Sequence, residues 1–183
     1  MGRIIIGVTG ASGAIYADRL VTHLKTLGEE VHLVVTEMGK KVCAFEGFPN
    51  LMTKADRVYD NGDFFAPIAS GTYRHRGMVV IPTSMGTLGK IAHGIGDTLL
   101  SRAADVCLKE KRKLILVPRE TPMSSLHLQN QKILSDMGVV IIPASPSFYH
   151  LPTTIEELVD TVVARVLDHL DLNHQVGKRW REP

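Results

Sequence analysis

The sequence predicts a three-layer α/β fold built around a parallel sheet, because strand-like runs alternate with helix-like runs throughout the chain. The strand-like runs are continuous stretches of Val, Ile and Leu rather than alternating apolar and polar residues. Such runs are typical of strands buried on both faces, as in a parallel sheet. The 183 residues suit one domain with a sizeable core. We therefore predict a single domain over residues 1–183, of which about 173–183 form a C-terminal tail.

Each element follows from a local pattern. The isoleucine-rich run "RIIIGV" opens the chain, and a small-residue loop and a helix-like run follow it. Only residues 46–77 lack a regular pattern, because Gly, Pro, Asn and Asp are scattered through them. The predicted strands are 3–8, 30–36, 77–84, 113–118 and 138–145. The predicted helices are 14–27, 37–45, stretches from the third strand to about residue 111, 124–137 and 155–171.

The last predicted helix carries a continuous apolar stripe. Thr154 and Glu157 have the spacing of a capping box at its start. Arg165 falls at the edge of the stripe, where periodicity alone fits either a snorkelling surface arginine or a functional one. The stripe consists of Ile155, Leu158, Val159, Val162, Val163, Val166, Leu167 and Leu170.

Composition excludes several classes of protein. The net charge of +2, with both signs interspersed, argues against binding to nucleic acid or to a membrane surface. No apolar run reaches the roughly 18 residues of a spanning helix, and the start lacks the apolar core of a signal peptide, so we expect a cytoplasmic protein. Cys43 and Cys107 fit no metal or redox spacing, and the eight histidines show no paired ligand spacing, so no metal site is predicted.

The loop after the first strand is the first candidate site, since ligands of open parallel sheets bind beyond the carboxyl ends of the strands. The loop "TGASGA" places Gly10, Ser12 and Gly13 at a helix N-terminus, where backbone N–H groups and the helix dipole favour a phosphate. The full dinucleotide fingerprint is absent, and Thr36 ends the second strand where an NAD-type ribose would need an acidic residue. The loop is predicted either to hold a phosphate or to be a tight turn without a ligand.

Two later strand ends offer similar chemistry. "PTSMGT" presents Ser84 and Thr87 before a helix, as a second phosphate cradle or as an ordinary N-cap. "PRETP" places Arg119 and Glu120 directly after a buried strand. The arginine suits a phosphate and the glutamate suits proton transfer, unless the two form a local ion pair.

A helix between these strand ends also carries charge. "DTLLSRAADVCLKEKR" puts Arg102, Asp105 and Lys109 on one face. That face is either the solvated side of an amphipathic helix or a basic stripe that lines a phosphate pocket.

Several motifs together resemble the flavin prenyltransferase family, also described as the small subunit of aromatic-acid decarboxylases. They are "GVTGASGAIYADRL", "ASGTYR", "GMVVIPTSMGTLGKIAHG", "LLSRAADVCLKEKRKLILVPRETP", "HLQN" and "PSFYHLPTTIEELVDTVVARVLDHL". The resemblance covers nearly the whole chain and implies a flavodoxin-like Rossmann fold.

The resemblance also implies an activity. The family joins the prenyl group of dimethylallyl monophosphate to N5 and C6 of reduced FMN and releases phosphate, without a metal. The product serves as cofactor for a partner decarboxylase that acts on unsaturated or aromatic acids. The family assembles as a homo-oligomer, commonly a dodecamer.

Site residues follow from the resemblance where the motifs match. Thr36 stands where the family usually has Ser. The implied flavin-binding residues are Gly10, Ala11, Ser12, Thr36, Ser84, Met85, Gly86, Thr87 and Arg119. The implied residues at the prenyl phosphate are Tyr149 and Arg165, with Arg102 and Lys109 near them. The implied catalytic residues are Glu46, Glu120 and Lys109.

One position departs from the family pattern. The second flavin loop usually reads Ser-Met-Lys-Thr, and here Gly86 replaces the lysine, with Lys90 one turn further on as a candidate substitute. The departure keeps an alternative open, in which the chain is a non-catalytic FMN-binding subunit of an aromatic-acid decarboxylase. A flavin-dependent decarboxylase of peptidyl-cysteine or phosphopantothenoylcysteine shares the fold, but its Pro-Ala-Met-Asn type motif is replaced here by "PASPSFYH".

Overall fold

The computed structural model describes residues 2–180, which form six parallel strands and six α-helices. Two short 3₁₀ helices, Leu51–Lys54 and Pro67–Ala69, lie in the region predicted to be irregular. The strands are β1 (Arg3–Val8), β2 (Glu30–Val35), β3 (Arg57–Tyr59), β4 (Gly77–Thr83), β5 (Leu114–Pro118) and β6 (Val140–Ile141). The helices are α1 (Ala14–Thr26), α2 (Glu37–Phe45), α3 (Met85–Ala92), α4 (Leu99–Lys109), α5 (Ser125–Asp136) and α6 (Ile155–His169).

The sheet has the order β3-β2-β1-β4-β5-β6, and every neighbouring pair is parallel. The prediction of a three-layer fold on a parallel sheet is therefore confirmed. From β1 the chain moves outward in one direction to β2 and β3, and from β4 it moves in the other to β5 and β6. The crevice beyond the carboxyl ends of β1 and β4 is thus the switch point of the topology, where such sheets bind ligands.

Strand side chains alternate between two apolar layers, which explains why the strands read as continuous apolar runs. Ile4 and Ile6 of β1 pack with α1 and α6, whereas Ile5 packs on the other face with α3, α4 and α5. All three isoleucines are fully buried. A strand with both faces covered has no polar side to display.

The structure contains a strand, β3, that no sequence pattern predicted, and its strand β6 is shorter than the predicted 138–145. Arg57–Tyr59 is a three-residue edge strand, and its side chains are largely exposed, so it has no apolar run. Asp56 sets its register, because its backbone N–H donates to the Val31 carbonyl (3.0 Å) and its carboxylate accepts from the Val31 N–H (2.7 Å). At the other edge, only Val140–Ile141 forms a regular strand, although the N–H of Ala144 still donates to the Pro118 carbonyl of β5 (2.9 Å).

Helix α6 covers the sheet beside α1. Its stripe is buried from Val159 to Leu170, but Ile155 is 67% exposed, so the predicted stripe begins one turn too early. Thr154 caps the helix by accepting from the Glu157 N–H (3.1 Å). The Glu157 carboxylate accepts from the Thr153 N–H (2.7 Å) rather than from Thr154, which differs from the predicted capping box.

Residues 173–180 of the predicted tail form no helix or strand, yet several of them contact α6. Residues 181–183 of the same predicted tail lie outside the described part of the chain. Within residues 2–180, no helix combines the length and the apolar character that crossing a bilayer requires.

The burial of α6 predicts a large cost for shortening its core side chains. Leu167 is fully buried, so Leu167→Ala should lower the free energy of unfolding by about 2–5 kcal/mol through lost burial and a residual cavity. Urea denaturation measures the change. Leu128→Ala is the matched control, because Leu128 of α5 is 55% exposed and should cost less than about 0.5 kcal/mol. Equal losses in the two variants would contradict the packing described for α6.

Candidate active site

Two buried threonines fix the strand ends that border the crevice. The Thr9 hydroxyl, directly after β1, donates to the Pro82 carbonyl of β4 (2.7 Å) and accepts from the Ser84 N–H (2.7 Å). The Thr83 hydroxyl, at the end of β4, donates to the Val80 carbonyl (2.6 Å) and accepts from the Val117 N–H of β5 (3.1 Å). The loops after β1, β4 and β5 are thereby held in one arrangement. Sequence reasoning assigned neither threonine a role, and the only signal was a hydroxyl residue at the end of each apolar run.

The N-terminus of α1 is occupied by a carboxylate of the chain itself. Glu46, just after α2, accepts from the N–H of Gly13 (3.0 Å) and of Ala14 (2.7 Å). The two N–H groups that a phosphate at this helix terminus would use are therefore already bonded to a carboxylate of the chain itself. Gly13 precedes the helix with a φ of 113°, a left-handed conformation that a Cβ would strain.

The environment keeps Glu46 ionised. Burial opposes ionisation, but hydrogen bonds from the Ser12 side chain and from the Ala14 and Gly13 N–H groups, with the charge of Arg119, outweigh it and lower the pKa of Glu46. The carboxylate is thus a fixed negative charge at the crevice and a weak proton acceptor.

The first predicted flavin loop packs tightly against α2. A Cβ on Gly10 would lie 2.7 Å from the Met38 Cβ, so this position requires glycine. Thr36 is the N-cap of α2, and its hydroxyl accepts from the Gly39 N–H (3.0 Å). Ala11 is buried and Ser12 is exposed, so Ser12 is the side chain of the loop that faces solvent.

The second predicted flavin loop begins α3. The Ser84 hydroxyl caps the helix by accepting from the Thr87 N–H (3.4 Å) and also donates to the Thr87 hydroxyl (3.1 Å). Met85 is buried, whereas Gly86 is exposed and a Cβ there would meet nothing within 4 Å. The Lys90 ammonium donates to the Asp97 carboxylate (2.6 Å), so the structure does not support Lys90 as the substitute for the missing lysine.

Arg119 joins the loop after β5 to the first loop, since its Nε donates to the Ser12 carbonyl (3.2 Å). Glu120 follows at the same edge of the sheet, and its carboxylate accepts from the Thr121 N–H (3.0 Å). The two side chains therefore have separate partners, and the local ion pair considered from the sequence is not among the contacts of residues 2–180. By their places directly after β1, β2, β4 and β5, the predicted residues Gly10, Ala11, Ser12, Thr36, Ser84, Met85, Gly86, Thr87, Arg119 and Glu120 lie at the carboxyl edge of the sheet, and Glu46 reaches the same edge through its bonds to Gly13 and Ala14.

Tyr149 and Arg165 lie elsewhere, in a cavity of about 430 Å³ between α6 and the C-terminal residues. Arg165 is exposed and its Nη1 donates to the Asp168 carboxylate (3.0 Å). The Nδ1 atom of His150, which also lines this cavity, is buried and has no hydrogen-bond partner within residues 2–180. An orphaned polar atom beside an arginine and a tyrosine makes this cavity a candidate ligand site.

Arg102 and Lys109 form a third location. Arg102 pairs with Asp105 (2.8 Å), and Lys109 pairs with its neighbour Glu110. Helix α4 leads back toward the start of β5, so its last residue, Lys109, lies at the amino edge of the sheet, opposite the crevice. The single chain therefore does not bring Lys109 to Tyr149, Arg165 or the flavin loops.

The described residues offer no ready metal site. No group of at least three His, Cys, Asp or Glu side chains within residues 2–180 is placed to hold an ion. Cys43 and Cys107 are free and buried, and burial raises the pKa of the Cys107 thiol to about 12.

Comparisons with known proteins identify the family of the chain. The sequence profile of the family described as Flavoprotein matches residues 1–167. The "Flavin prenyltransferase UbiX" of Halalkalibacterium halodurans is 47% identical, over 99% of this chain and 94% of the relative. The chain belongs to the flavin prenyltransferase family.

Solved structures of the flavin prenyltransferase type superimpose closely. The crystal structure of AnUbiX (PadA1) in complex with FMN and dimethylallyl pyrophosphate has a TM-score of 0.96 and 41% identity, over 98% of this chain and 97% of that one. A dodecameric FMN-dependent Ubix-like decarboxylase from Escherichia coli O157:H7 has a TM-score of 0.95 and 43% identity, over 98% of this chain and 100% of that one. The peptidyl-cysteine decarboxylase EpiD, at 22% identity and a TM-score of 0.64, shares the fold alone.

The contacts of Glu46 predict a pH-dependent contribution to stability. Because folding lowers its pKa, the carboxylate stabilises the protein above its usual pKa of about 4.3, and this is lost as the pH falls through the lower folded-state value. Glu46→Gln should lower the free energy of unfolding by about 1–2 kcal/mol near neutral pH, as for loss of a helix cap.

Denaturation at about pH 7 and about pH 3 tests this, and the difference between variant and parent should shrink at the lower pH. Glu37→Gln is the control, since the Glu37 side chain is 76% exposed and its pair with Lys40 is a surface pair worth less than about 1 kcal/mol. A Glu46→Gln cost that is the same at both pH values would argue against a charged cap.

Proposed function

We propose that this chain is a flavin prenyltransferase that joins the dimethylallyl group of dimethylallyl monophosphate to N5 and C6 of reduced FMN and releases phosphate. One observation carries the proposal. A crevice with hydroxyl, backbone N–H and guanidinium donors and a separate cavity lined by arginine, lysine and tyrosine occur in the same chain, which is 41–47% identical to proteins of this family. A flavoprotein that only carried FMN would not need the second site.

The crevice fits FMN in the chemistry of its donors. The phosphate and the ribityl chain of FMN need hydrogen-bond donors and acceptors. The crevice offers exposed backbone of the two loops, the Arg119 guanidinium and the hydroxyls of Ser12, Ser84 and Thr87. The end of β2 offers Thr36 rather than a carboxylate, which fits a mononucleotide better than NAD. When bound, reduced FMN would supply the nucleophilic atoms of the reaction, and we assign its binding to these loops.

Tyr149 and Arg165 are proposed to bind the phosphate of the prenyl donor. As the allylic C–O bond breaks, negative charge builds on the departing phosphate oxygen. A guanidinium and a phenol O–H held in place stabilise that charge without reorganising. His150, with its unpartnered Nδ1, is positioned in the same cavity to donate or accept one further hydrogen bond.

The two glutamates are proposed to act differently. Glu46 is held ionised by Ser12 and the α1 N-terminus, so it offers a fixed negative charge that stabilises an allylic cation rather than a strong base. Glu120 has fewer donors around its carboxylate, which accepts only from Thr121 among the hydrogen bonds of the described residues. Either Glu120 or the released phosphate is proposed to take the proton lost at C6.

We also propose a homo-oligomer, by analogy with the dodecameric relative. Lys109 lies at the opposite edge of the sheet from Gly10, so the two could serve one site only if separate copies of the chain meet there. Assembly would thus bring Arg102 and Lys109 of one copy to the phosphate of another. The prenylated flavin is proposed to pass to a partner decarboxylase in the cytoplasm.

The test of the proposal is anaerobic incubation of the purified protein with reduced FMN and dimethylallyl monophosphate, followed by mass spectrometry of the extracted flavin. The expected product is a flavin heavier by one five-carbon prenyl unit. Arg165→Ala should lower kcat/KM at least about tenfold, because the departing phosphate loses a charged hydrogen-bond donor.

A second candidate function is a non-catalytic FMN-binding subunit of a decarboxylase, which Gly86 favours. Unmodified FMN, with binding confirmed and the diphosphate donor also tried, would refute the prenyltransferase. Copurification with a large decarboxylase would then support the subunit.

Gly86 itself gives a testable difference in flavin affinity. Its position is exposed, a Cβ there meets nothing within 4 Å, and its backbone is not left-handed, so Gly86→Lys should fold normally. If the lysine usual in the family contacts the flavin phosphate, Gly86→Lys should lower the Kd for FMN by about two- to fivefold, the worth of an exposed ion pair.

Quenching of FMN fluorescence during titration measures that Kd. Gly86→Gln is the matched control, because it adds a side chain of similar reach without charge and should leave the Kd near that of the parent. Equal affinities for the lysine and glutamine variants would show that a cation at this position does not contribute to flavin binding.

A further inference from the structure

The turn after α4 places Arg112 against residues 69–73, a segment that begins at the end of the second 3₁₀ helix. Lys111 has a left-handed φ of 52°, and the Arg112 N–H donates to the Cys107 carbonyl (2.8 Å), which closes the end of α4. The run "KEKRK" is typical of a solvated group of charges, but Arg112 is only partly exposed. Its side chain is therefore held by the rest of the chain.

The guanidinium of Arg112 bonds to backbone instead of to a carboxylate. Its Nη1 donates to the Tyr73 carbonyl (2.6 Å), and its Nη2 donates to the Gly71 carbonyl. Within residues 2–180 it forms no ion pair. Two carbonyls that are separated by one residue match the rigid, planar donors of an arginine, so Arg112 fixes the path of the segment between them.

The 69–73 segment lies directly against the pair of Lys109 and Glu110. A Cβ on Gly71 would be 2.8 Å from the Lys109 Nζ, so the backbone of the segment leaves no free space on that side of the ammonium. The hydrogen bond from Lys109, its charge and the charge of Arg112 lower the pKa of Glu110, so the pair stays ionised. Arg102, one of the other cations of α4, reaches the same segment, since its Nε donates to the Ala69 carbonyl (3.4 Å).

Tyr73 joins the far end of the segment to the sheet. Its hydroxyl lies 3.4 Å from Nδ1 of the fully buried His32 of β2, and the Arg3 guanidinium lies over its ring, 5.3 Å from the centroid. Its N–H donates to the Ser70 carbonyl (3.2 Å). The segment is thus a short turn between the sheet and α4, and Arg112 supplies its side-chain bonds on the α4 side beyond Ala69.

We propose that Arg112 is a positioning residue for prenyl transfer, which holds the 69–73 segment against Lys109 and so fixes the Lys109 ammonium. An ammonium held in place stabilises charge on a departing phosphate better than a mobile one, because it need not move as the charge develops. Arg112 acts through Lys109 rather than on the substrate. The role of Lys109 at the phosphate rests on the proposed function, whereas the hold of Arg112 on the segment does not.

Hydrogen exchange of the full-length protein, measured by mass spectrometry, tests this hold without any turnover. Arg112→Ala should increase deuterium uptake in a peptide that covers residues 69–73, because the bond from Tyr73 to Ser70 opens more often once both carbonyls lose their donor. Lys111→Gln is the matched control, since it removes an exposed neighbouring cation whose side chain has no hydrogen bond or ion pair within residues 2–180. Uptake that is unchanged in Arg112→Ala would overturn the hold.

Turnover with reduced FMN and dimethylallyl monophosphate tests the action through Lys109. Arg112→Ala should lower kcat at least about tenfold, as expected when a catalytic group is displaced, and leave the KM for reduced FMN unchanged. Arg112→Lys should recover part of the loss, because it keeps the charge but not the planar donors. Lys111→Gln should leave every parameter unchanged.

A double-mutant cycle distinguishes positioning from a merely structural role. If Arg112 acts through Lys109, Arg112→Ala should lower kcat no further in a protein that already carries Lys109→Ala. Gly71→Ala is a second variant that leaves both Arg112 bonds in place. Its added methyl group meets only the flexible ends of the Lys109 and Glu110 side chains, so it should fold normally and lower kcat in the same non-additive way.

The outcomes separate this inference from the proposed function. Losses of kcat that multiply in the double variant would overturn the action of Arg112 through Lys109, and so would a loss in Lys111→Gln as large as that in Arg112→Ala. If the parent forms no prenylated flavin, the proposed function and the role of Lys109 are both refuted. Deuterium uptake in residues 69–73 then still decides whether Arg112 holds the segment.

Discussion

The candidate site depends on two buried hydroxyl groups at the carboxyl edge of the sheet. Thr9 joins the end of β1 to β4, and Thr83 joins the end of β4 to β5. Both side chains are almost completely buried, so their hydrogen bonds form where unpaired polar groups are costly and therefore hold a single geometry. The positions of both predicted flavin loops follow from these bonds, since each begins directly after one of the threonines, and Arg119 lies two residues beyond Val117, whose N–H donates to Thr83.

Two carboxylates of the chain hold the hydrogen-bond donors of the candidate sites in place. Glu46 accepts hydrogen bonds from the N–H groups at the start of α1, and Asp168 accepts hydrogen bonds from Arg165 and Arg179. In both places burial would raise the carboxyl pKa, and neighbouring donors or cations lower it instead. Each carboxylate therefore stays charged and fixes the donors around it before a ligand binds. This is the preorganisation that a reaction with a departing phosphate requires, because the donors need not be gathered as charge develops.

Most of the fold could be predicted from the sequence, because a strand that is buried on both faces consists of a continuous run of apolar residues. The edge strand β3 could not, since Arg57–Tyr59 owes its place to the contacts of Asp56 with Val31 rather than to apolar residues of its own. The loops of the site were predictable from topology alone. The partner of the α1 N-terminus was not, because Glu46 comes from more than thirty residues further along the chain and no spacing rule connects it to Gly13. The contact of Asp168 with Arg179 was hidden for a different reason, since Arg179 lies in C-terminal residues that form no helix or strand and have no periodic pattern.

The resemblance placed Lys109 beside Tyr149 and Arg165, whereas in the single chain α4, which carries Lys109, and α6, which carries Arg165, pack on opposite faces of the sheet. A motif match says which residues belong to a site, but not which copy of the chain supplies each of them. The residues of a site shared between copies would therefore lie apart from one another in a single chain. Phe45, Phe65 and Leu151 are each more than four-fifths exposed in the single chain, and the proposed homo-oligomer would offer surfaces on which to bury them. In such an arrangement the flavin crevice, the cationic cavity and the α4 stripe would be complete only where copies meet, and catalysis would depend on assembly as much as on folding.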